Sequence, residues 1–178
     1  MDTDEDLLRE KDLVLIGFMG VGKTTIGRAL ANKLQWDFID IDEEIEKTYS
    51  MPTSQIFQTI GEDAFRAKEK DMIKNYTGIE KLKIISVGGG AFLQDETKKL
   101  CLSECIVIFL DISWEVWQDR ISLLVDSRPV LQGKTIDEME KLFYDRQSTY
   151  KDHHFRVKTD DYSIDETADF IVDSILKK

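Results

Sequence analysis

Apolar residues fall into two kinds of run along the chain. Leu13 to Ile16, Ile84 to Val87 and Ile106 to Leu110 are short and wholly or almost wholly apolar. A strand buried on both faces reads this way, because neither side meets water. Phe38 to Ile41 is a further strand candidate, and Phe155 to Thr159 a weaker fifth. Elsewhere apolar residues recur every three or four positions, the period of a helix with one buried face. Ile26, Leu30 and Leu34, with Ala29 and Ala31 beside them, predict a helix to about Gln35. A charged helix is predicted over 42–49, stopped by Pro52, then a short one over 54–60. After Gly61 a longer helix covers 62–76, with Phe65, Met72 and Ile73 among its apolar positions. Helices are also expected over 96–102 and 114–125; in the second, Trp114, Trp117 and Ile121 form a core stripe. Thr135 with Glu138, and Ser163 with Glu166, are capping boxes. The first opens a helix to about Tyr150, the second a C-terminal helix with Ala168, Ile171, Val172 and Ile175 on one face.

Strands alternating with helices imply an α/β chain: a mostly parallel five-stranded sheet between two helical layers, a three-layer αβα fold. In such sheets ligands bind at the carboxyl ends of the strands. Four signals fall there: Gly17 to Thr24, Asp40 with Asp42, Gly88-Gly89-Gly90, and the region after Asp111.

Composition narrows the picture. The 178 residues suit one domain with a sizeable core. No stretch is long and apolar enough to cross a membrane. Residues 1–12 read as a flexible acidic lead-in, without the layout of a secretory signal, so a cytoplasmic protein is expected. Cys101 and Cys105 have no matching pair elsewhere and read as buried thiols. The net charge of −11 argues against nucleic acid as a partner. The basic residues that matter are expected to be gathered in a pocket.

Gly17 to Thr24 fits G-x-x-x-x-G-K-[ST] at every fixed position, between a strand and a helix. The glycines let the backbone curl around a phosphate chain with its N–H groups turned inward. The helix then begins at the anion, its positive dipole end facing the charge. Lys23 can reach the β- and γ-phosphates, and the Thr24 hydroxyl can ligate Mg²⁺. Asp40 and Asp42 share one face if the strand continues; Asp42 reads equally well as the cap of the next helix. Three glycines after a buried strand permit close approach to something small. Arg128-Pro129 sits in a loop over 127–133, suited to a lid that closes over phosphate. Arg66 alone means little, and Arg146 with Tyr150 reads as a surface pair unless something else engages them.

Taken together, these stretches resemble one family, the shikimate kinases, small P-loop kinases similar in architecture to nucleoside monophosphate kinases. The likeness runs from about Leu13 to Leu176. It rests on G-F-M-G-V-G-K-T, F-I-D-I-D, G-E-D-A-F-R, S-V-G-G-G and R-P-V-L in that order, followed by Arg146. The resemblance implies a single P-loop kinase domain over 13–178, with substrate-binding helices about 42–76 and a lid about 120–134. It implies that Gly20, Val21, Gly22, Lys23, Thr24 and Thr25 bind the phosphates of ATP, the co-substrate. Thr24, supported by Asp40, would hold Mg²⁺. Asp42 would orient or deprotonate the 3-hydroxyl of shikimate, and Arg66 and Arg146 would clamp its carboxylate. Gly88, Gly89 and Gly90 would border its ring, Arg128 would reach the phosphates, and Arg120 would lie against adenine. Lys23, Asp42 and Arg128 are thus the expected catalytic groups, and a monomer is expected. One departure follows Tyr150, where His154 stands at a position the family commonly fills with alanine; both histidines read as structural. The alternatives are a kinase for another small hydroxy acid such as gluconate, a GTP-dependent switch and a non-catalytic homologue. No N-K-x-D motif supports the switch, and the intact catalytic set argues against the homologue.

Overall fold

Strand β1 (Leu13–Ile16) lies at the centre of a five-stranded sheet, and all four of its residues are buried. This computed structural model describes residues 10–77, 82–120 and 133–176. On either side of β1 run β3 (Lys83–Ser86) and β4 (Ile106–Asp111), buried almost throughout. The edges are β2 (Asp37–Asp40) and β5 (Phe155–Lys158), where exposed positions appear. The order is β2-β3-β1-β4-β5, and every pairing is parallel. The apolar pattern accounts for this order. Continuous apolar runs are stable only where both faces are covered, so they take the middle.

Helices flank the sheet. After β1 comes α1 (Lys23–Leu34), and after β2 come α2 (Ile41–Tyr49), α3 (Thr53–Thr59) and α4 (Glu62–Tyr76). Then follow α5 (Asp95–Glu104), α6 (Trp114–Gln118), α7 (Ile136–Gln147) and α8 (Ile164–Ile171). The last continues as a wider helical turn, Val172–Leu176, and α8 packs against α1. Helices α2, α3 and α4 pack on one another between β2 and β3. Both expected capping boxes are present, at Thr135 and Ser163.

Three expectations change. The lead-in does not extend to residue 12. Asp12 is 2% exposed, and its carboxylate accepts from the Lys83 backbone N–H at 3.0 Å and the Lys83 ammonium at 3.1 Å. A lysine at the start of a buried strand needs a counter-charge, and Asp12 supplies it. Asp40, not Asp42, caps α2: its side chain accepts from the Glu43 N–H at 3.1 Å. The strand conformation therefore ends at Asp40, and Asp42 projects from the first helical turn. The helix ending near Tyr150 is α-helical only to Gln147 and tightens to a 3₁₀ turn over Ser148–Tyr150.

Part of the helix expected over 114–125 falls at 121–132, outside the described residues, as do Ile121, Arg128 and most of the expected lid. Trp114 and Trp117 are buried as the stripe requires. They stack at 5.4 Å and form an aromatic cluster with Phe18 and Phe143. Cys101 and Cys105 are both buried, as expected. Among the described residues no helix is long and apolar enough to cross a membrane.

Candidate active site

The phosphate loop is built by backbone torsion. Gly20 and Gly22 have φ of 85° and 108°, values that an L side chain rarely adopts. Gly22 is the N-cap of α1 and offers no side chain to the helix N–H groups; the first turn also lacks an acidic residue. Those donors and the positive end of the helix are left to an anion. Below the loop, α6 and the turn that follows it grip its carbonyls. Trp117 Nε1 donates to the Met19 carbonyl at 2.7 Å, and Arg120 Nη1 donates to the Gly20 and Val21 carbonyls at 3.1 and 3.3 Å. Lys23 is largely buried and folds back on the loop, donating to the Gly17 and Phe18 carbonyls at 2.8 and 3.2 Å.

The loop borders a cleft of about 560 Å³ that also takes in Asp40, Asp42, Gly88, Gly89 and Arg120. The Thr24 hydroxyl donates to Asp40 Oδ2 at 2.5 Å. A hydroxyl and a carboxylate are hard oxygen donors and suit Mg²⁺, which takes its remaining ligands from water and phosphate. Among the described residues no three His, Cys, Asp or Glu side chains gather as a metal cage. The far side of the cleft is lined by Thr159, Tyr162, Ile164 and Thr167. Sequence reading missed these four. They follow β5 in a stretch with no motif, and only their place after a strand's carboxyl end pointed to a ligand. Thr159 is pinned there by its N–H and hydroxyl, which donate to the Asp111 carbonyl at 2.8 and 2.9 Å.

A smaller cavity of about 50 Å³ adjoins the cleft and shares Met19, Asp42, Gly88 and Gly89 with it. Arg66 on α4 and Arg146 on α7 both line it, with Gly90 and Glu69. The structure thus brings together Asp42, Arg66, Arg146 and the three glycines. The cavity is small by itself and opens onto the cleft at the residues they share. The glycines let these side chains come close to the backbone. A Cβ on Gly90 would sit 2.5 Å from Arg66 Nη2, and one on Gly88 would sit 3.0 Å from both Asp42 Oδ1 and Glu69 Oε2.

The electrostatics of this cavity are mixed. Arg66 donates to Glu69 Oε1 at 3.0 Å and lies 3.6 Å from Glu62. Glu69 is fully buried, and its Oε2 has no hydrogen-bond partner. Burial pushes its carboxyl up to about 7; Arg66 opposes the rise, and the charge of Asp42 adds to it. Arg146 Nη1 is likewise buried without a hydrogen-bond partner. Two guanidiniums beside one cavity, one with an unmet buried donor, suit a bound anion. Glu69 was not singled out from the sequence. Arg128 lies outside the described residues.

A protein-family model for shikimate kinase matches residues 19–176. The shikimate kinase of Oceanobacillus iheyensis is 56% identical over 168 residues, 94% of this chain and 91% of that one. The shikimate kinase of Bacillus subtilis is 50% identical over 168 residues, 94% of this chain and 90% of its own. Among solved structures, shikimate kinase from Acinetobacter baumannii in complex with shikimate superposes with a TM-score of 0.87 at 29% identity. That match covers 98% of this chain and 97% of the other. A gluconokinase from Sinorhizobium meliloti shares the fold at a TM-score of 0.51 and 17% identity.

Proposed function

The chain belongs to the shikimate kinase family and catalyses ATP-dependent phosphorylation of shikimate, and we propose that the residues gathered at the carboxyl ends of β1, β2 and β3 perform it. The observation that carries this assignment is the adjacency of the two cavities: a phosphate cleft and a guanidinium-lined pocket meet at Asp42, Gly88 and Gly89. Phosphoryl transfer asks mainly for alignment and charge neutralisation. The backbone of Gly20, Val21, Gly22, Thr24 and Thr25 holds the ATP phosphates. Lys23 leaves the Gly17 and Phe18 carbonyls for the β- and γ-phosphates. When bound, Mg²⁺ neutralises charge that builds between those phosphates; Thr24 holds it and Asp40 orients Thr24.

Arg66 and Arg146 take the shikimate carboxylate, a part of the substrate that does not react. Their binding energy serves to orient the ring. Gly88, Gly89 and Gly90 allow that ring to lie against backbone. Asp42, at the junction, receives the 3-hydroxyl, holds it in line and accepts its proton. Arg128 completes the charge around the transferred group from a lid over about 120–134. Adenine lies between Arg120 and the Thr159–Ile164 stretch. Residues 13–178 act as one domain, with α2 to α4, about 42–76, as the substrate-binding part. We read the enzyme as a cytoplasmic monomer; the burial of both cysteines fits a reducing compartment.

Release of ADP, measured by a coupled assay with shikimate, with gluconate and with neither, tests the substrate assignment. Shikimate alone should raise the rate above background. Equal or greater turnover with gluconate would assign the guanidinium pocket to a different acid.

A further inference from the structure

The Gly88-Gly89-Gly90 turn borders both cavities, yet three glycines in succession hold no conformation by themselves. Two of their carbonyls are fixed locally. Gly88 accepts from the Ala91 N–H and Gly90 from the Leu93 N–H, each at 3.1 Å. The Gly89 carbonyl is held from elsewhere: the Tyr150 hydroxyl donates to it at 2.6 Å. Tyr150 itself lines neither cavity. It is 1% exposed and stacks on Phe109 of β4 at 5.3 Å. Its position in the chain matters as much, since it closes the 3₁₀ turn that follows the helix bearing Arg146.

From this geometry we infer that Tyr150 is a positioning residue for shikimate. Its hydroxyl sets the Gly89 carbonyl and so locks the substrate-side glycine turn to the end of the Arg146 helix. A trans peptide is planar, so fixing the Gly89 carbonyl also fixes the Gly90 N–H, which points the opposite way. One bond therefore orients a peptide group of the pocket wall and keeps that wall in register with Arg146. Gly89 has little slack: a Cβ there would meet the Met19 nitrogen at 3.2 Å and the Tyr150 hydroxyl at 3.4 Å. The hydroxyl is unsuited to proton transfer, because burial raises its pKa. Its part is to hold backbone. Such a group affects substrate and transition state alike, and its loss raises KM without lowering kcat.

This inference rests on the reading that Gly89 borders the shikimate pocket. Steady-state kinetics of Tyr150→Phe test it, because the ring and its stacking survive while the hydroxyl is lost. The KM for shikimate should rise by about 3- to 10-fold, the effect of one net hydrogen bond. The KM for ATP should stay unchanged, and kcat should stay within about twofold. Phe109→Leu is the companion variant. It removes the stack but keeps the hydroxyl, and should lower the unfolding midpoint with a shikimate KM near that of the parent. If Tyr150→Phe leaves the shikimate KM unchanged, the inference fails. It fails as well if both KM values and the midpoint shift together in both variants, since the tyrosine is then a core residue only. Should Tyr150→Phe not fold, proton NMR of the unaltered enzyme decides. The buried Tyr150 hydroxyl proton should shift on adding shikimate and not on adding ATP; no shift, or a shift with ATP alone, overturns the role. Arg146→Lys, assayed in parallel, separates the two levels. Weakened shikimate binding there with none in Tyr150→Phe removes Tyr150 alone, whereas no effect in either removes the pocket assignment.

Discussion

Glu69 holds a place on α4 where the spacing of Phe65 and Ile73 calls for an apolar side chain. The sequence contained that signal, since Phe65, Glu69 and Ile73 recur every four residues, and a carboxylate there has to be buried. Arg66, one turn earlier on α4, is visible in the sequence; Gln94 and Asp42, which also meet Glu69, come from across space. The carboxyl is held up to about 7, first by burial and then by the charge of Asp42, with Arg66 opposing. The native state therefore keeps a proton that the unfolded chain has already lost, and between pH 4.5 and about 7 stability should fall as pH rises. Above that range the difference is flat. Denaturant unfolding of the parent and of Glu69→Gln across this range checks it. The parent should lose stability relative to the variant as pH rises and level off above pH 7. A parent that gains stability instead would mean that Arg66 outweighs burial. Asp40 and Asp42 teach a similar lesson at close range. Their identities were plain, but which of them caps α2 depends on where the strand stops.

At the scale of elements, the sheet was the most legible part. Leu13 to Ile16 and Ile106 to Leu110 need cover on both faces, and they occupy central strands. The phosphate loop was legible too, because its chemistry demands fixed glycines. How the loop is supported was not. Phe18 meets Trp117 and Phe143 edge-on at 5.1 Å, and Trp117 binds the Met19 carbonyl. A stripe pattern gives burial, but it does not tell which backbone an indole N–H will meet. Trp117→Phe retains an aromatic ring and leaves the Met19 carbonyl without its donor. The loss should be about 1–3 kcal/mol of stability, the range for a buried group left unsatisfied. ATP affinity should fall with it, because the loop loses a brace. Denaturant unfolding and nucleotide titration measure both effects; full stability together with unaltered ATP binding would mean that α6 does not brace the loop.

At the scale of the whole molecule, the site exists only when distant segments meet. No periodicity or spacing brings Arg66 on α4 toward Arg146 on α7; family resemblance alone put them in one pocket beforehand. The same limit hid Thr159, Tyr162 and Ile164, which reach the cleft only because β5 is the outermost parallel strand beside β4. The division of labour also separates metal from fold. Thr24 and Asp40 would hold Mg²⁺ together with the phosphates of the nucleotide, so the ion is expected to serve turnover and not folding. Chelation should abolish activity while leaving the unfolding midpoint of the nucleotide-free enzyme unchanged; a fall in that midpoint would reveal a structural ion. In the proposed site, two guanidiniums grip the carboxylate of shikimate while Asp42 faces its hydroxyl. Arg→Lys keeps the charge and removes the two-pronged geometry. Calorimetric titration of Arg66→Lys and Arg146→Lys, with shikimate and separately with ATP, measures this grip. Each variant should bind shikimate about 1.5–3 kcal/mol more weakly, the range for hydrogen bonds to a charged group, and ATP as before. Unchanged shikimate affinity with weakened ATP binding would assign both arginines to the nucleotide instead.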